Sequence, residues 1–389
     1  MTLTIAVIDC NRNGLAAIRS LGAYGAEIIA IDHHKRRAGQ YSRYVKERHL
    51  ITKPNQNEAG FVQDLIDVSK KHKSDEPIYL LPVNDEYVRT LAANWDTLSA
   101  YYTPLFETDV AQLDTITNKV NFSAFAKKIG IPQPERYTLE EVENSAVTYP
   151  IIFKPDERRS LENIRSKVFK VKLCHNDAEG KEFAGYLRTE GIEVIIQQFI
   201  PGGDDELYTG GVVALEGKLL GCFTGKKVRQ YPPMAGQASW ATSLESKKLV
   251  EYSKRIVSEL GFSGLSQIEF KHWDGELYVI EMNPRAWSWH GLAKPSGVDL
   301  PAILIDSVIN EPPAEVVINS KNGIYWHFFL EDFFHNVFYN KNISFMECFR
   351  SIRRASSHAF YDSSDLLPWI VHICIDYPIR VAKVILGRK

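Results

Sequence analysis

The chain is predicted to be a mixed α/β and α+β protein: a doubly wound parallel sheet first, an α+β region second, and a helical extension last. Three observations predict this order. Residues 1–110 alternate short apolar runs with amphipathic stretches, which is the rhythm of βαβ units. Residues 150–285 hold two hairpin patterns, one around Glu216-Gly217 and one around Trp273-Asp274-Gly275. Residues 320–389 turn aromatic, with basic clusters at Arg350–Arg354 and Arg380–Lys389. At 389 residues the chain exceeds one typical core, so two or three domains are expected.

The elements follow in order. Leu3–Ile8 is a compact apolar run suited to a buried parallel strand, Asn13–Leu21 has helical spacing and stops at Gly22, and Glu27–Ile31 is the next strand. Phe61–Lys71 is amphipathic, Ile78–Pro82 is a strand and Asp85–Leu98 is helical. The first turn reads Asp9-Cys-Asn-Arg-Asn-Gly14 in place of Gly-x-Gly-x-x-Gly, so a dinucleotide site is poorly supported. That loop, at a strand's carboxyl end, is expected to line a substrate cleft. Asn118–Gly130 is a connector helix within residues 111–145, and Ile151–Pro155 is a strand that carries Lys154. Glu193–Gln198 is a strand broken by Phe199-Ile-Pro-Gly-Gly203, Tyr208–Ala214 and Lys218–Thr224 form a hairpin, and Lys247–Leu260 is a helix stopped by Gly261.

Composition excludes several functions. Apolar content of 44% and charged content of 24% are those of a soluble globular protein. A net charge of −2 argues against nucleic acid as a partner. The five cysteines are scattered without Cys-x-x-Cys, so reduced thiols in a cytoplasmic protein are expected and zinc is not. The N-terminus lacks a basic leader, and no apolar run reaches the ~18 residues of a spanning helix.

The strongest chemical signal lies in Gln267–Arg285. Leu265–Lys271 and Glu276–Met282 read as strands, and pairing them about the turn places Glu269 opposite or diagonal to Glu281 on one face, with Asn283 two residues on. Two carboxylates and an amide oxygen converging this way call for a cation, and hard oxygen ligands suit Mg²⁺ or Mn²⁺ shared with nucleotide phosphates. Arg285, beyond Pro284, is placed to face a phosphate or a developing negative charge. Each glutamate alone would pass for a solvated hairpin residue. Together, with Glu281 inside Leu-Tyr-Val-Ile-Glu-Met, they would not.

Phosphate-binding candidates are Lys154, ending its strand, and Lys119, opening the connector helix where the helix dipole and ammonium act together. Gln197, Gln198, Phe199 and Ile200 suit an adenine hinge, with backbone groups at Phe199 and Ile200 reading the ring edge. Asp204-Asp205-Glu206 offers a carboxylate for ribose, and Lys226, Lys227 and Arg229 supply further cations. The C-terminal segment from Leu366 to Lys389 is apolar with flanking cations; it fits either a membrane interface or a cap over the sheet.

Taken in order, Lys119, Lys154, the Gln197–Ile200 hinge, Glu206, and Glu269, Glu281 and Asn283 within Glu-Met-Asn-Pro-Arg285 resemble the ATP-grasp superfamily. The likeness covers roughly residues 1–310. It is most similar to single-chain carboxylate–amine ligases such as the D-aspartate ligase type, and it extends to carbamoyl-phosphate synthetase domains. The resemblance implies a substrate domain over 1–110, a two-subdomain ATP-grasp fold with antiparallel sheets over 111–310, and an extension over 311–389. It implies ATP and Mg²⁺ as cofactors, small carboxylate and amine substrates, and an acyl phosphate between them. Arg285 or Arg229 would stabilise the oxyanion and His290 would take the amine proton. A homodimer and peripheral membrane contact stay open, as do bicarbonate chemistry and an ATP-binding module without turnover. Three departures stand out. The lid after Lys154-Pro155 lacks glycines and offers Arg158, Arg159 or Lys167 instead; Gln267 replaces an arginine; Trp287-Ser-Trp289-His290 is expected to wall the substrate and exclude bicarbonate.

Overall fold

The structure, a computed structural model, describes residues 3–72, 76–155, 171–231, 236–339 and 343–378. Its first sheet is wholly parallel, built from β1 (Thr4–Ile8), β2 (Glu27–Asp32), β3 (Val45–Leu50), β4 (Ile78–Pro82) and β5 (Tyr102–Pro104) in the order β3-β2-β1-β4-β5. Ile5, Val7, Ile28 and Ala30 face one side, while Ala6, Ile8, Ile29 and Ile31 face the other against Phe61, Leu65, Tyr87 and Leu91. Both faces are covered, which is why these strands read as unbroken apolar runs. The helix expected to stop at Gly22 runs Arg12–Tyr24 and is capped by Gly25 at φ 109. Gly22 serves packing: a Cβ there would sit 2.4 Å from the Tyr44 side chain.

A small antiparallel sheet follows, from β6 (Arg136–Tyr137), β7 (Ile151–Pro155), β8 (Lys172–Cys174) and β9 (Val194–Gln198), in the order β6-β9-β7-β8. Helix Asp177–Glu190, absent from the expected elements, covers it through Ala184 and Leu187. The large sheet holds β10 (Leu207–Leu215), β11 (Lys218–Tyr231), β12 (Gln237–Ser243), β13 (Gly264–Trp273), β14 (Glu276–Asn283), β15 (Val317–Ile318), β16 (Tyr325–His327) and β17 (Ser357–His358). It is antiparallel except where β15 pairs β11 and β17 pairs β16. Helix Lys247–Leu260 packs on one face through Leu249, Ile256 and Val257. On the other face Trp287, Trp289 and Trp326 join this sheet to the first in one continuous core.

The extension contains the expected helices, including Phe345–Arg354 and Leu367–Val371, and also gives β16 and β17 to the large sheet. These strands are two and three residues long, too short to carry a periodicity signal. The five cysteines are free thiols, four of them buried.

Candidate functional site

The site grows from the β13–β14 hairpin. Asp274 at φ 50 and Gly275 at φ 75 form the two central positions of its turn, where both residues must be left-handed. From that turn Trp273 pairs with Glu276, His272 with Leu277, Lys271 with Tyr278 and Phe270 with Val279. A regular ladder would continue with Glu269 across from Ile280, which would send Glu281 to the opposite face. It does not continue. The register shifts after Phe270, so that Glu269 pairs with Glu281, Ile268 with Met282 and Gln267 with Asn283. The bulge leaves Ile280 unmatched and aligns the two carboxylates and Asn283 on one face.

That face is polar and ordered. Gln267 Nε2 donates to Glu269 Oε1 at 2.9 Å and to Thr209 Oγ1 at 3.2 Å. Lys227 Nζ stands 3.2 Å from Glu269 Oε1, and Asn283 Nδ2 donates to Glu281 Oε1 at 3.2 Å. Burial would raise the Glu281 carboxyl, but the Lys119 ammonium, the Asn283 hydrogen bond, Lys227 and Lys154 together hold it below its usual range. Glu281 is therefore ionised, and the acid pair already draws one cation, Lys227, against it.

Beside the hairpin, a cleft opens between β14, the small sheet and helix Lys119–Lys128. Its polar lining includes Lys119, Arg136, Lys154, Gln197 and Glu281; Phe122, Pro134, Val279 and Ile280 supply its apolar lining. The mixed lining with three cations suits a nucleotide. Lys119 opens its helix, with Asn118 as N-cap accepting from the Val120 and Asn121 amides. Burial, reinforced by Lys119 and Arg136, brings Lys154 down to about 8.

Several expected site residues stand elsewhere. Lys226 lies across from Tyr208, with its ammonium 5.4 Å from the ring centroid. Glu269 pairs with Thr209, one residue on, so alternation gives the acid face to Lys227 and not to Lys226. Glu206 turns onto His272, with Oε2 2.7 Å from Nδ1. The Phe199 amide already donates to Pro150 O at 2.9 Å, so it is not the donor that reads an adenine edge. Gln198 accepts from the Glu135 amide at 3.4 Å, and Ile200 is buried.

The expected catalytic residues divide. Arg285 is half-buried where β14 ends: its Nε donates to Asp85 Oδ2 at 2.9 Å and its guanidinium to Asn283 Oδ1 at 3.3 Å. Asp85 follows β4, beside Asn13, whose amide donates to Ala286 O at 3.3 Å. The carboxyl end of the parallel sheet thus meets the end of the acid hairpin, at the switch point between β1 and β4. Arg229 is removed from this chemistry. It binds Asp332 through Nε at 3.0 Å and through its terminal nitrogen at 2.5 Å, and donates to Ser351 Oγ at 2.9 Å. His290 is 2% exposed, holds the Trp287 carbonyl at 2.7 Å through Nδ1, and is pushed by burial down to about 4. It is a neutral core side chain, not a base facing substrate. Trp287 and Trp289 are each 1% exposed, packed at 6.0 Å with Phe223 against them, so they form core and no substrate wall. Arg158, Arg159 and Lys167 lie outside the described residues.

Sequence reasoning missed Arg136, Asp85 and the choice of Lys227. An unbroken register counted from the Glu216-Gly217 turn points to Lys226; the shift between Val213 and Ala214 is what brings Lys227 onto the acid face. Nothing local marks Arg136 or Asp85, which reach the site through tertiary contact.

An ATP-grasp domain pattern matches residues 116–288. The carbamoyl phosphate synthase large chain of Agathobacter rectalis is 25% identical over 194 residues, covering 46% of this chain and 17% of that relative. That of Thermomicrobium roseum is 27% identical over 243 residues, covering 58% of this chain and 21% of the relative. The chain therefore spans about a fifth of the length of these curated relatives. Among solved structures, an L-amino acid ligase from Bacillus licheniformis superposes with a TM-score of 0.56 at 15% identity, covering 80% of this chain and 75% of that one. The biotin carboxylase of Campylobacter jejuni gives 0.60 at 15% identity, covering 80% and 72%. The bulged acid hairpin, the lysine-lined cleft beside it and the matched pattern coincide in one segment: residues 116–288 are an ATP-grasp domain.

Proposed function

We propose that the chain is an ADP-forming ligase that joins a small carboxylate to an amine through an acyl phosphate. The observation that carries this reading is the pairing of Glu269 with Glu281 on the face of the cleft lined by Lys119 and Lys154. ATP is assigned to the cleft, with Lys119, Lys154 and Arg136 neutralising phosphate charge and Gln197 marking the base end. Glu269, Glu281 and Asn283 would hold Mg²⁺, which would supply charge stabilisation to the nucleotide phosphates. Lys227 balances the second charge of the acid pair. Phosphoryl transfer asks for alignment and charge, and the cleft offers both without a covalent nucleophile.

Arg285 is assigned to the acyl centre. Asp85 holds its guanidinium in plane, so a carboxylate entering between the two domains meets a fixed fork. The substrate carboxylate takes the γ-phosphoryl group, the amine attacks the carbonyl, and phosphate leaves. With His290 buried, the amine proton goes to solvent or to a departing phosphate oxygen. The three proposed regions are 1–110 for substrate, 111–310 for nucleotide and 311–389 as extension; a cytoplasmic setting and a homodimer complete the proposal.

The decisive measurement is ADP release with Mg²⁺ and ATP across pairs of acids and amines. The proposal expects release that needs both partners and a product with a new C–N bond. Release driven by bicarbonate with no amine would replace it with the carboxylating alternative, which the buried tryptophans no longer disfavour. Tight ATP binding without turnover on any pair would replace it with a binding module.

A further inference from the structure

We infer that the C-terminal extension presents a docking surface for an anionic lipid bilayer. Of the 18 exposed large hydrophobic side chains among the described residues, ten fall between Phe329 and Ile370. Helix Phe345–Arg354 is inverted relative to an ordinary surface helix: it buries Cys348 and Ser351 and exposes Phe345 at 58%, Met346 at 54% and Phe349 at 46%. Leu366, Leu367, Trp369 and Ile370 are exposed likewise, while Pro368 and Val371 turn inward. Ring contacts extend the first patch from Phe345 to Phe333 at 5.9 Å, Phe333 to Phe334 at 5.4 Å, and Phe334 to Tyr377 at 5.4 Å. Exposed apolar side chains gathered in one region this way mark an interaction site.

Polar latches hold the inner side. Arg229 donates to Ser351, Arg19 and Ser42 hold Asp365, and the Ala38 amide holds Asp376. The extension is thus anchored by hydrogen bonds and leaves its apolar side chains outward.

Charge selects a bilayer over a neutral partner. Helix Phe345–Arg354, which presents the first patch, carries three Arg against one Glu, in a chain of net −2. The four acids of residues 345–378 are occupied: Asp365 and Asp376 as above, Glu347 in a capping box with Ser344, and Asp362 with Ser364. Arg350, Arg353 and Arg354 are exposed on the helix that presents Phe345 and Phe349. Aromatic and aliphatic side chains flanked by arginine suit the headgroup boundary of an anionic membrane. Among the described residues no helix is long and apolar enough to cross a membrane, so the contact is peripheral.

The test is sedimentation of the full chain with phosphatidylglycerol–phosphatidylcholine vesicles and with phosphatidylcholine alone. Binding is expected to the anionic vesicles and to weaken with salt. Phe345→Glu with Phe349→Glu, or Leu367→Glu with Trp369→Glu, should lower partitioning about tenfold or more. Arg353→Gln should lower it about fivefold, and this change leaves the apolar packing untouched should a paired variant fail to fold. ADP release in solution should stay at the wild-type level, which separates this surface from the ligase proposal. Absence of binding to anionic vesicles, or partitioning indifferent to these substitutions, overturns it. So does a wild-type dimer that the same variants convert to monomer without vesicle binding, because the surface then belongs to a second copy.

Discussion

Strand β11 carries two cations two residues apart, and each meets a carboxylate in opposite circumstances. Arg229 meets Asp332, which is 0% exposed and receives Arg229 twice, Ser239 at 2.8 Å and His327 at 3.0 Å. Four donors fill the four lone-pair directions of that carboxylate. Although Cys348 completes a His327–Asp332–Cys348 group within ligand reach, a metal would first have to strip these donors. Lys227 meets Glu269, whose side chain is 14% exposed, and a second carboxylate stands directly across the ladder. Lys227 is the direct ion pair of Glu269 there, while Glu281 is held by the fields of Lys119, Lys227 and Lys154. The closed cluster has spent its bonding capacity on holding the extension; the open one keeps capacity for a divalent ion and phosphate.

Breaking the closed cluster should have the largest effect. Arg229→Ala leaves Asp332 buried without its main partner and should cost about 3–5 kcal/mol in denaturant unfolding. If stability is unchanged and ADP release collapses, the two clusters have been assigned the wrong way round. Glu281→Gln should do the reverse, lowering ADP release about 10²–10³-fold while stability stays within about 1 kcal/mol. Asp85→Asn frees the Arg285 fork and should lower kcat about tenfold with little change in KM for ATP.

Lys154 gives the open site a pH signature. Its ammonium is held down to about 8, so in the empty protein the positive charge is present below pH 8 and lost above it. ATP affinity should fall above pH 8, by at most about tenfold per pH unit, with proton uptake on binding seen by calorimetry in buffers of different ionisation enthalpy. Lys154→Arg should flatten the profile. The smallest effect is expected at His290, where Phe should leave ADP release within about twofold. His290 sits near 4 when folded and near ~6.5 when unfolded, so the unfolded chain binds the extra proton. Wild-type stability should thus fall as pH drops from about 6.5 toward 4, and His290→Phe should soften that fall.

The parallel sheet was legible because strands buried on both faces carry unbroken apolar runs, as in Leu3–Ile8 and Glu27–Ile31. The acid hairpin was legible because Asp-Gly fixes its turn. Short strands were not: β16 and β17 exist only because the large sheet offers them an edge. Among site residues, Lys119, Lys154 and Gln197 were found as cleft residues from their places at element ends. Arg229 and His290 were misjudged for one reason. Their sequence neighbours suggested a polar cleft, whereas burial is set by Asp332 and by the Trp287–Trp289 core, which lie far along the chain or on the hidden side of it.

Ile280 contributes no atom that the chemistry needs by type, yet it governs the parity of everything after it. Were the ladder to pair that residue in place of bulging, Glu281 and Asn283 would swap sides with Met282, and the ion-binding face would lose two of its three oxygens to the packed interior. The acid set is therefore written in the chain as a frame as well as an alphabet. Side-chain replacements at 280, and even its deletion, should leave Glu269 across from Glu281, because the residues on either side of it already pair in that register.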